Sequence, residues 1–486
     1  MRKINRRNFL KVTGVLAAAS ALAACGGSST STAGSTGSTA GSAAGADGAK
    51  AYNELTVGTD NTDLKADLKF VSHRTDLIED GTFDGYVAAF QKLYPNITIK
   101  YEGITDYATD MTTRLTSNDW GDLCMIPTNI PLTELGDYFE PLCALSDIEN
   151  DYNFASNRAY NGSVYGIPST GNAQGIIYNK KIIKDYCAKS YAVIKSADDI
   201  KDYKTLKQVA ESIEQHKDDL GVDGAFATPG LDASDTYRFA AHMTRLPLYY
   251  EYRDANTTFS KTIKGTYLKN YKDMFDLQLK TSPTEASMVS SKTYDDVTSE
   301  FALGQVAFYP NGVWAYSQIK GNDVADEDLG MLPYYMGIKG EEDCGPVGVY
   351  DASWAVNKNA SEKDKKATLD FIKWMITDNE AKKILSKDMG FSVPFTTFTD
   401  DYQPDNPLTE AARAYSNDGK TEVRSFTIPD QQWQDDIASA LVEYAQGTGK
   451  WDKVQSAFVD GWSTEWNNNE ESLGSVPEAQ KFDAKS

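Results

Sequence analysis

The chain has 486 residues, 41% of them hydrophobic and 24% charged, and a formal charge of −22. That length allows two or three domains with large cores. A body this acidic repels phosphate backbones and anionic membranes, which argues against a nucleic-acid partner.

The first residues carry five cations, Arg2, Lys3, Arg6, Arg7 and Lys11, followed by an apolar stretch from Val12 to Ala24 and then Cys25. This is the three-part plan of an export signal. Thirteen apolar residues are too few for a permanent bilayer span, which takes about 20. Leu22-Ala-Ala-Cys25 closely resembles a bacterial lipobox, which implies a signal peptide over 1–24, cleavage before Cys25 and a diacylglycerol on its thiol. Asn5-Arg-Arg-Asn-Phe-Leu-Lys11 is also similar to a twin-arginine export signal, with Asn5 where Ser or Thr is usual. A general secretory signal is the alternative, since a basic start needs arginines on either route. Residues 26 to about 50 are almost entirely Gly, Ser, Thr and Ala, side chains that build no core. They read as a flexible tether reaching roughly 25 to 30 Å, and 25–63 as a whole is assigned to anchor and tether.

From residue 64 strands and helices alternate. Leu68 to Val71 reads as a strand, and Phe83, Tyr86, Val87, Phe90 and Leu93 recur at helical spacing. Ile97 to Tyr101 alternates as a strand, a helix follows over Asp110 to Thr116, and Leu123 to Ile126 is a short apolar strand. Such a series predicts an α/β lobe with a mainly parallel sheet. A second series begins at Gly175-Ile-Ile-Tyr178, with Thr205 to Gln208 as a capping box, and later reaches the strand Val306 to Tyr309. Gly348 to Val356 is extended, Glu362 to about Leu385 is a helix, and Gln431 to Trp466 is helical with four tryptophans. Cys124, Cys143, Cys187 and Cys344 could pair in three ways. Cys124 lies within an apolar strand and a body of this size needs no staples, so free, buried thiols are expected.

The usual marks of catalysis are missing. The sequence holds no G-x-S-x-G elbow, Walker A loop, G-x-G-x-x-G or H-E-x-x-H, and His73, His216 and His242 are scattered without zinc-ligand spacing. Neither a catalytic residue, a metal nor a cofactor is expected. A glycosidase with two carboxylates distant in the chain is the alternative that spacing does not exclude.

Four blocks together resemble the extracellular solute-binding proteins of ABC importers, in the oligosaccharide-binding group that includes the maltose-binding protein. They are Asn161-Gly-Ser-Val-Tyr-Gly-Ile-Pro168 with Gly175-Ile-Ile-Tyr-Asn-Lys180; Phe301 to Ser317 with its Asn311-Gly-Val-Trp-Ala315; the extended segment from Gly348 with its helix through Leu385; and Ile428 to Trp433. The resemblance implies an α/β, two-lobed periplasmic-binding-protein fold with a ligand cleft between the lobes, closed by hinge motion. Crossings would fall near Thr170 to Gln174, Gly348 to Asp351 and Met389 to Phe391. One lobe would be 64–171 plus 352–388, the other 175–347 plus 391–470, and 471–486 a C-terminal tail.

In the family, ligand contacts come from loops at the carboxyl ends of strands, where open α/β sheets hold ligands generally. The loop Ser72-His-Arg-Thr-Asp76 offers Arg74 and Asp76 first, then His73 and Thr75; Thr75 and Asp76 could instead cap the following helix. Asp106 and Tyr107 follow the second strand and Asn129 the third, where a turn-forming role is the alternative. Asn172 falls in the first crossing, at a position that carries a carboxylate in maltose binders, and Tyr350 and Asp351 fall in the second. Trp314 corresponds to a sugar-stacking tryptophan, and Trp433 lies within about a residue of another; pyranose C–H faces pack on such rings. Tyr316, Trp451, Trp462 and Trp466 read as structural. The resemblance implies a monomeric, non-enzymatic protein that binds an oligosaccharide and delivers it to ABC permease subunits. A lipid at Cys25 would hold it on the extracellular face of a Gram-positive cytoplasmic membrane. A secreted carbohydrate-active enzyme, or a binder of a peptide or polyamine, are the alternatives.

Overall fold

The computed structural model describes residues 50–482 apart from 75, 80, 105–106, 118–119, 128–129, 131, 152–157, 170, 350–352, 474–475 and 478. Residues 50–63, assigned above to the tether, instead lie on the first lobe. Tyr52 is buried in its core, donates its backbone N–H to Leu142 O at 3.0 Å and has the Lys373 ammonium 4.5 Å above its ring. The sequence shows no periodic element there; the packing of Tyr52, with Ala51 and Val57, on the first core decides its place.

Strand β1 (Ala66–Ser72) buries Ala66, Leu68 and Phe70 on alternate positions, the period-2 pattern of a packed face. Helix α1 (Thr82–Phe90) presents Phe83, Tyr86 and Phe90 inward and leads to β2 (Ile97–Gly103). Helix α2 (Tyr107–Leu115) precedes β3 (Leu123–Met125), and β4 (Cys143–Ala144), β5 (Arg158–Tyr160) and β6 (Ser163–Pro168) follow. The chain then changes sheet. Strand β7 (Asn172–Asn179) opens the second lobe, joined by α3 (Tyr203–Gln215), β8 (Gly224–Phe226), α4 (Leu268–Lys280), α5 (Tyr294–Ala302), β9 (Val306–Gly312), β10 (Leu329–Leu332) and β11 (Cys344–Val349). It returns to the first lobe with β12 (Ser353–Val356) and α6 (Glu362–Thr377), then enters the second again with α7 (Pro407–Asn417), β13 (Thr421–Val423), α8 (Gln431–Ala445) and α9 (Trp451–Leu473).

The first sheet has the order β2-β1-β3-β12-β6-β4, with β5 also on β6; the second runs β13-β11-β7-β9-β8, with β10 also on β7. Among the described residues, only β1, β2 and β3 are mutually parallel in the first sheet, and only β8–β9 and β11–β13 in the second. Both sheets are therefore mixed rather than mainly parallel, because the returning strand β12 and the hinge strand β7 each run against their neighbours. Strand β7 shares one edge between β11 at its start and β10 at its end. Gly175 sits at the handover, where a Cβ would lie 2.3 Å from Leu332 O.

Each lobe has its own core. In the first, Phe90, Phe371 and Trp374 join α1 to α6 through ring contacts of 5.0 to 5.8 Å. The third crossing lies later than Met389 to Phe391. Met389, Phe391, Val393, Phe395 and Phe398 all pack in the first lobe, whereas Leu408 and Ala412 of α7 pack in the second. Apolar residues at alternate positions 391, 393 and 395 hold this extended stretch on the first lobe, so the passage falls between Phe398 and Leu408. Three further differences are local. Asp202, not Thr205, caps α3 by accepting from Thr205 N at 2.7 Å. The helix expected through Leu385 breaks at Asp378, whose carboxylate accepts from Glu380 N and Ala381 N and starts a new turn. The residues beyond α9 do not form a free tail throughout, since Phe482 packs edge-on against Tyr249 at 5.4 Å and the Thr258 and Gln480 backbones are bonded.

Among the described residues no helix is long and apolar enough to cross a membrane, and no group of three His, Cys, Asp or Glu side chains is arranged to hold a metal ion. Cys124, Cys143, Cys187 and Cys344 are free thiols, Cys187 half-buried and the rest buried. Burial pushes the Cys143 thiol up to about 12, far from the thiolate form that reacts.

Candidate functional site

Because β1, β2 and β3 run parallel, the loops that follow them open on one edge of the first sheet. That edge brings together the segments holding the first-lobe candidates. His73 is exposed and its ring meets Tyr107 edge-on at 5.8 Å. Tyr107 is buried, its hydroxyl 2.5 Å from Met125 O and 3.2 Å from Val71 O, so it ties the ends of β3 and β1 together beneath His73. Burial also pushes its phenol well up. Its place is support for the rim rather than an open contact, because both hydrogen-bond partners are backbone carbonyls of the sheet. Arg74 is half-buried; its guanidinium donates to Met389 O at 3.0 Å and lies 4.9 Å over the Phe391 ring, while Tyr101 donates to its carbonyl. It clamps the loop to the extended stretch that precedes the third crossing. Asp76 begins a short helix, Asp76–Glu79. Thr75, Asp106, Asn129, Tyr350, Asp351 and Cys25 lie outside the described residues. Asn172 is the first residue of β7, half-buried and in register with Val349.

In the second lobe the site is built around Trp314. Strand β9 delivers Asn311, whose fully buried amide accepts from Gly312 N at 2.8 Å and donates to the Tyr309 hydroxyl at 2.5 Å. The chain then turns into a short 3-10 segment, Val313–Ala315. The indole folds back over Gly312, where a Cβ would sit 2.0 Å from a ring carbon. Trp314 is half-exposed, in contrast to its buried neighbours Val313 and Ala315. Its Nε1 donates to the Tyr237 hydroxyl at 3.4 Å, and His242 meets the ring edge-on at 5.4 Å. Tyr237 and His242 are themselves 5.0 Å apart, edge to face. The three rings make an aromatic wall at the mouth of the second sheet.

A buried ion pair sets that wall in place. Arg238 donates to Asp235 through Nε at 2.7 Å, to Pro310 O at 3.0 Å and to Thr228 O at 3.1 Å, with both charged side chains fully buried. It therefore joins the ends of β8 and β9 to the turn carrying Tyr237 and His242. Burial raises the Asp235 carboxyl and the adjacent guanidinium pulls it back. At the hinge, Gln174 is fully buried and donates to the Tyr334 hydroxyl at 3.3 Å. Asp235, Tyr237, Arg238 and His242 lie close together in the chain but in no recognisable motif, and only the fold brings Tyr237 and His242 against Trp314, about seventy residues on; Tyr334 likewise meets Gln174 of the first crossing only across the sheet.

Trp433 has no part in this wall. It is 1% exposed, donates Nε1 to Phe458 O at 3.0 Å and meets Trp462 at 5.1 Å. It stands in the first turn of α8, where Asp430 caps Trp433 N, and the helix turns that position onto α9. Tyr316 is buried and bonded to Asp326 at 2.8 Å.

Residues 85–414 match the model of a family described as bacterial extracellular solute-binding protein. Residues 3–23 match the signal sequence of the twin-arginine translocation pathway, which marks the chain for export. A multiple sugar-binding protein of Streptococcus mutans is 25% identical over 342 residues, which is 68% of this chain and 77% of that protein. Among solved structures, a manno-oligosaccharide-specific solute-binding protein of Bifidobacterium animalis subsp. lactis, in complex with mannotriose, is 21% identical with a TM-score of 0.56, over 87% of this chain and 98% of its own. A chitin oligosaccharide binding protein is 18% identical with a TM-score of 0.65, over 85% and 100%. These likenesses establish the two-lobed fold. With the family model spanning more than half of the sequence, from α1 through the third crossing and into α7, the chain belongs to the bacterial extracellular solute-binding protein family.

Proposed function

We propose that this protein captures an oligosaccharide in the cleft between its lobes and hands it to the permease of an ABC importer, without chemistry of its own. The observation that carries this reading is the half-exposed Trp314 ring, held by Tyr237 and His242 at the mouth of the second sheet. A sugar has an apolar C–H face and a rim of hydroxyls, and an aromatic wall opposite polar loops answers both. The sugar-binding relative and the oligosaccharide-binding structures of the same fold point the same way. First-lobe contacts fall to the loops holding His73, Thr75, Asp76, Asp106 and Asn129, with Asn172, Tyr350 and Asp351 at the crossings. The lipobox assigns Cys25 as the lipid anchor, so the monomeric protein works at the outer face of the cytoplasmic membrane, where tethering raises its effective concentration near the permease.

Titration calorimetry of the exported body against mannotriose, raffinose, maltotriose and chitotriose tests the ligand class, with spermidine and a tripeptide as controls. Binding of at least one oligosaccharide, with no product after prolonged incubation, is expected. Turnover, or binding confined to the controls, overturns the reading.

A further inference from the structure

Behind the hinge strand lies a cavity of about 280 Å³ that the aromatic wall does not line. Side chains alternate along β7. Ala173 turns toward α7, packing with Leu408 and Ala412, while Gln174 turns the other way to Tyr334. The cavity is on the Ala173 side. Its walls come from both lobes: Val393 and Phe398 belong to the first core, and Val313 and Ala412 to the second.

Its lining is mixed in a specific way. Val313, Pro346, Pro394 and Phe398 give apolar surface, and Ser392, Gln403 and Ser416 give neutral hydrogen-bonding groups. Arg413 is already paired with Asp400 at 2.7 Å, and Glu422 adds a second carboxylate. Two carboxylates against one guanidinium disfavour an anion. Thr409 is 6% exposed and its hydroxyl oxygen is sealed from the cavity, so this residue contributes wall rather than a hydrogen-bonding group. The volume lies just below that of ligand pockets, which span roughly 300 to 1,000 Å³, so one sugar ring fits the scale and a chain of them does not.

We propose that this cavity is a second site, for a neutral polyhydroxy molecule of monosaccharide size, and that filling it strengthens ligand binding in the cleft on the other side of the hinge. The coupling rests on the cleft-closure reading above. Closing two bodies about a hinge in front spreads them behind, so a molecule lodged there favours the closed state. By reciprocity, cleft ligand strengthens the rear site by the same factor. The rear wall is also one residue from the front one: Val313 lines the cavity, its carbonyl accepts from Asn406 Nδ2 at 2.8 Å, and Asn406 caps α7 through Leu408 N, while the next residue is Trp314.

The test uses the full exported body and four probes, D-glucose, D-mannose, D-galactose and myo-inositol, followed by saturation-transfer NMR. Wild type, Trp314→Ala, Ser416→Ala and Ala412→Leu are compared. Ser416→Ala removes an accessible hydroxyl of the lining, Ala412→Leu fills the space, and unfolding curves verify that each variant is folded. Millimolar binding of at least one probe that survives Trp314→Ala and weakens about tenfold in either folded cavity variant supports the site. Loss of the signal in Trp314→Ala, its persistence in both cavity variants, or no signal from any probe overturns it. In wild type, a saturating probe is expected to lower the Kd of the best oligosaccharide about fivefold, and an unchanged or raised Kd removes the coupling. If the calorimetric screen finds no oligosaccharide, the import reading fails while the NMR comparison still decides the rear site.

Discussion

Trp314 owes its exposure to the residues around it. Gly312 leaves room for the indole to fold back, and Tyr237 holds its Nε1, so the ring is fixed before any ligand arrives. Trp314→Ala is expected to weaken the best oligosaccharide by on the order of 2 kcal/mol, about thirtyfold in Kd, with little change in the unfolding midpoint. An unchanged Kd by calorimetry would reduce the ring to packing. Gly312→Ala is a finer probe. Its backbone φ of −104° suits alanine, so the added methyl strains nothing but the indole, which must move. Binding is expected to fall at least fivefold while the unfolding midpoint shifts by only a few degrees, and intact affinity would show that the ring position is not critical.

At the scale of elements, two helices behave differently from their sequence appearance. Helix α6 carries Asp370, 1% exposed, whose carboxyl accepts from Asn61 Nδ2 at 2.9 Å and leaves its other oxygen without a partner. Burial raises it to about 7, with Asp60 adding to the rise. Below about pH 4 the folded and unfolded forms are both protonated. Between about 4 and 7 the unfolded chain releases a proton that the folded one keeps, so stability falls as pH rises, by at most about 4 kcal/mol. Asp370→Asn is therefore expected to raise the melting temperature at pH 8 and to leave it unchanged near pH 4. Equal melting curves at both pH values would mean that the carboxyl is relieved in some other way. Helix α8 shows the opposite case, where Trp433 resembled a site residue and the α8–α9 contact turned it into the core.

For the whole molecule, the three passages between lobes define the motion. Two of them join strands directly, β6 to β7 and β11 to β12, and the third runs from Phe398 to Leu408. With separate cores on either side, a ligand that touches both lobes is expected to shift the population toward a closed form. Small-angle scattering of the exported body should show a smaller radius of gyration on saturation with its oligosaccharide. Trp314→Ala should need more ligand for the same change, and an unaltered radius in wild type at saturation would count against closure.

Much of this was legible in the chain. Alternation in β2 and helical spacing in α1 marked α/β lobes, because period is a local property that survives in any context, and the two-lobed fold followed from the resemblance carried by the ordered blocks around Trp314. Other features depend on residues distant in sequence. The docking of Tyr52, the third crossing beyond Phe398 and the mixed strand directions follow from which surfaces meet. So do the Asp235–Arg238 pair beneath the aromatic wall and the cavity behind β7. A tryptophan reads the same in the sequence whether it faces a cleft or a neighbouring helix. Trp314 and Trp433 parted only when Gly312 and Tyr237 held one at the surface and α9 closed over the other.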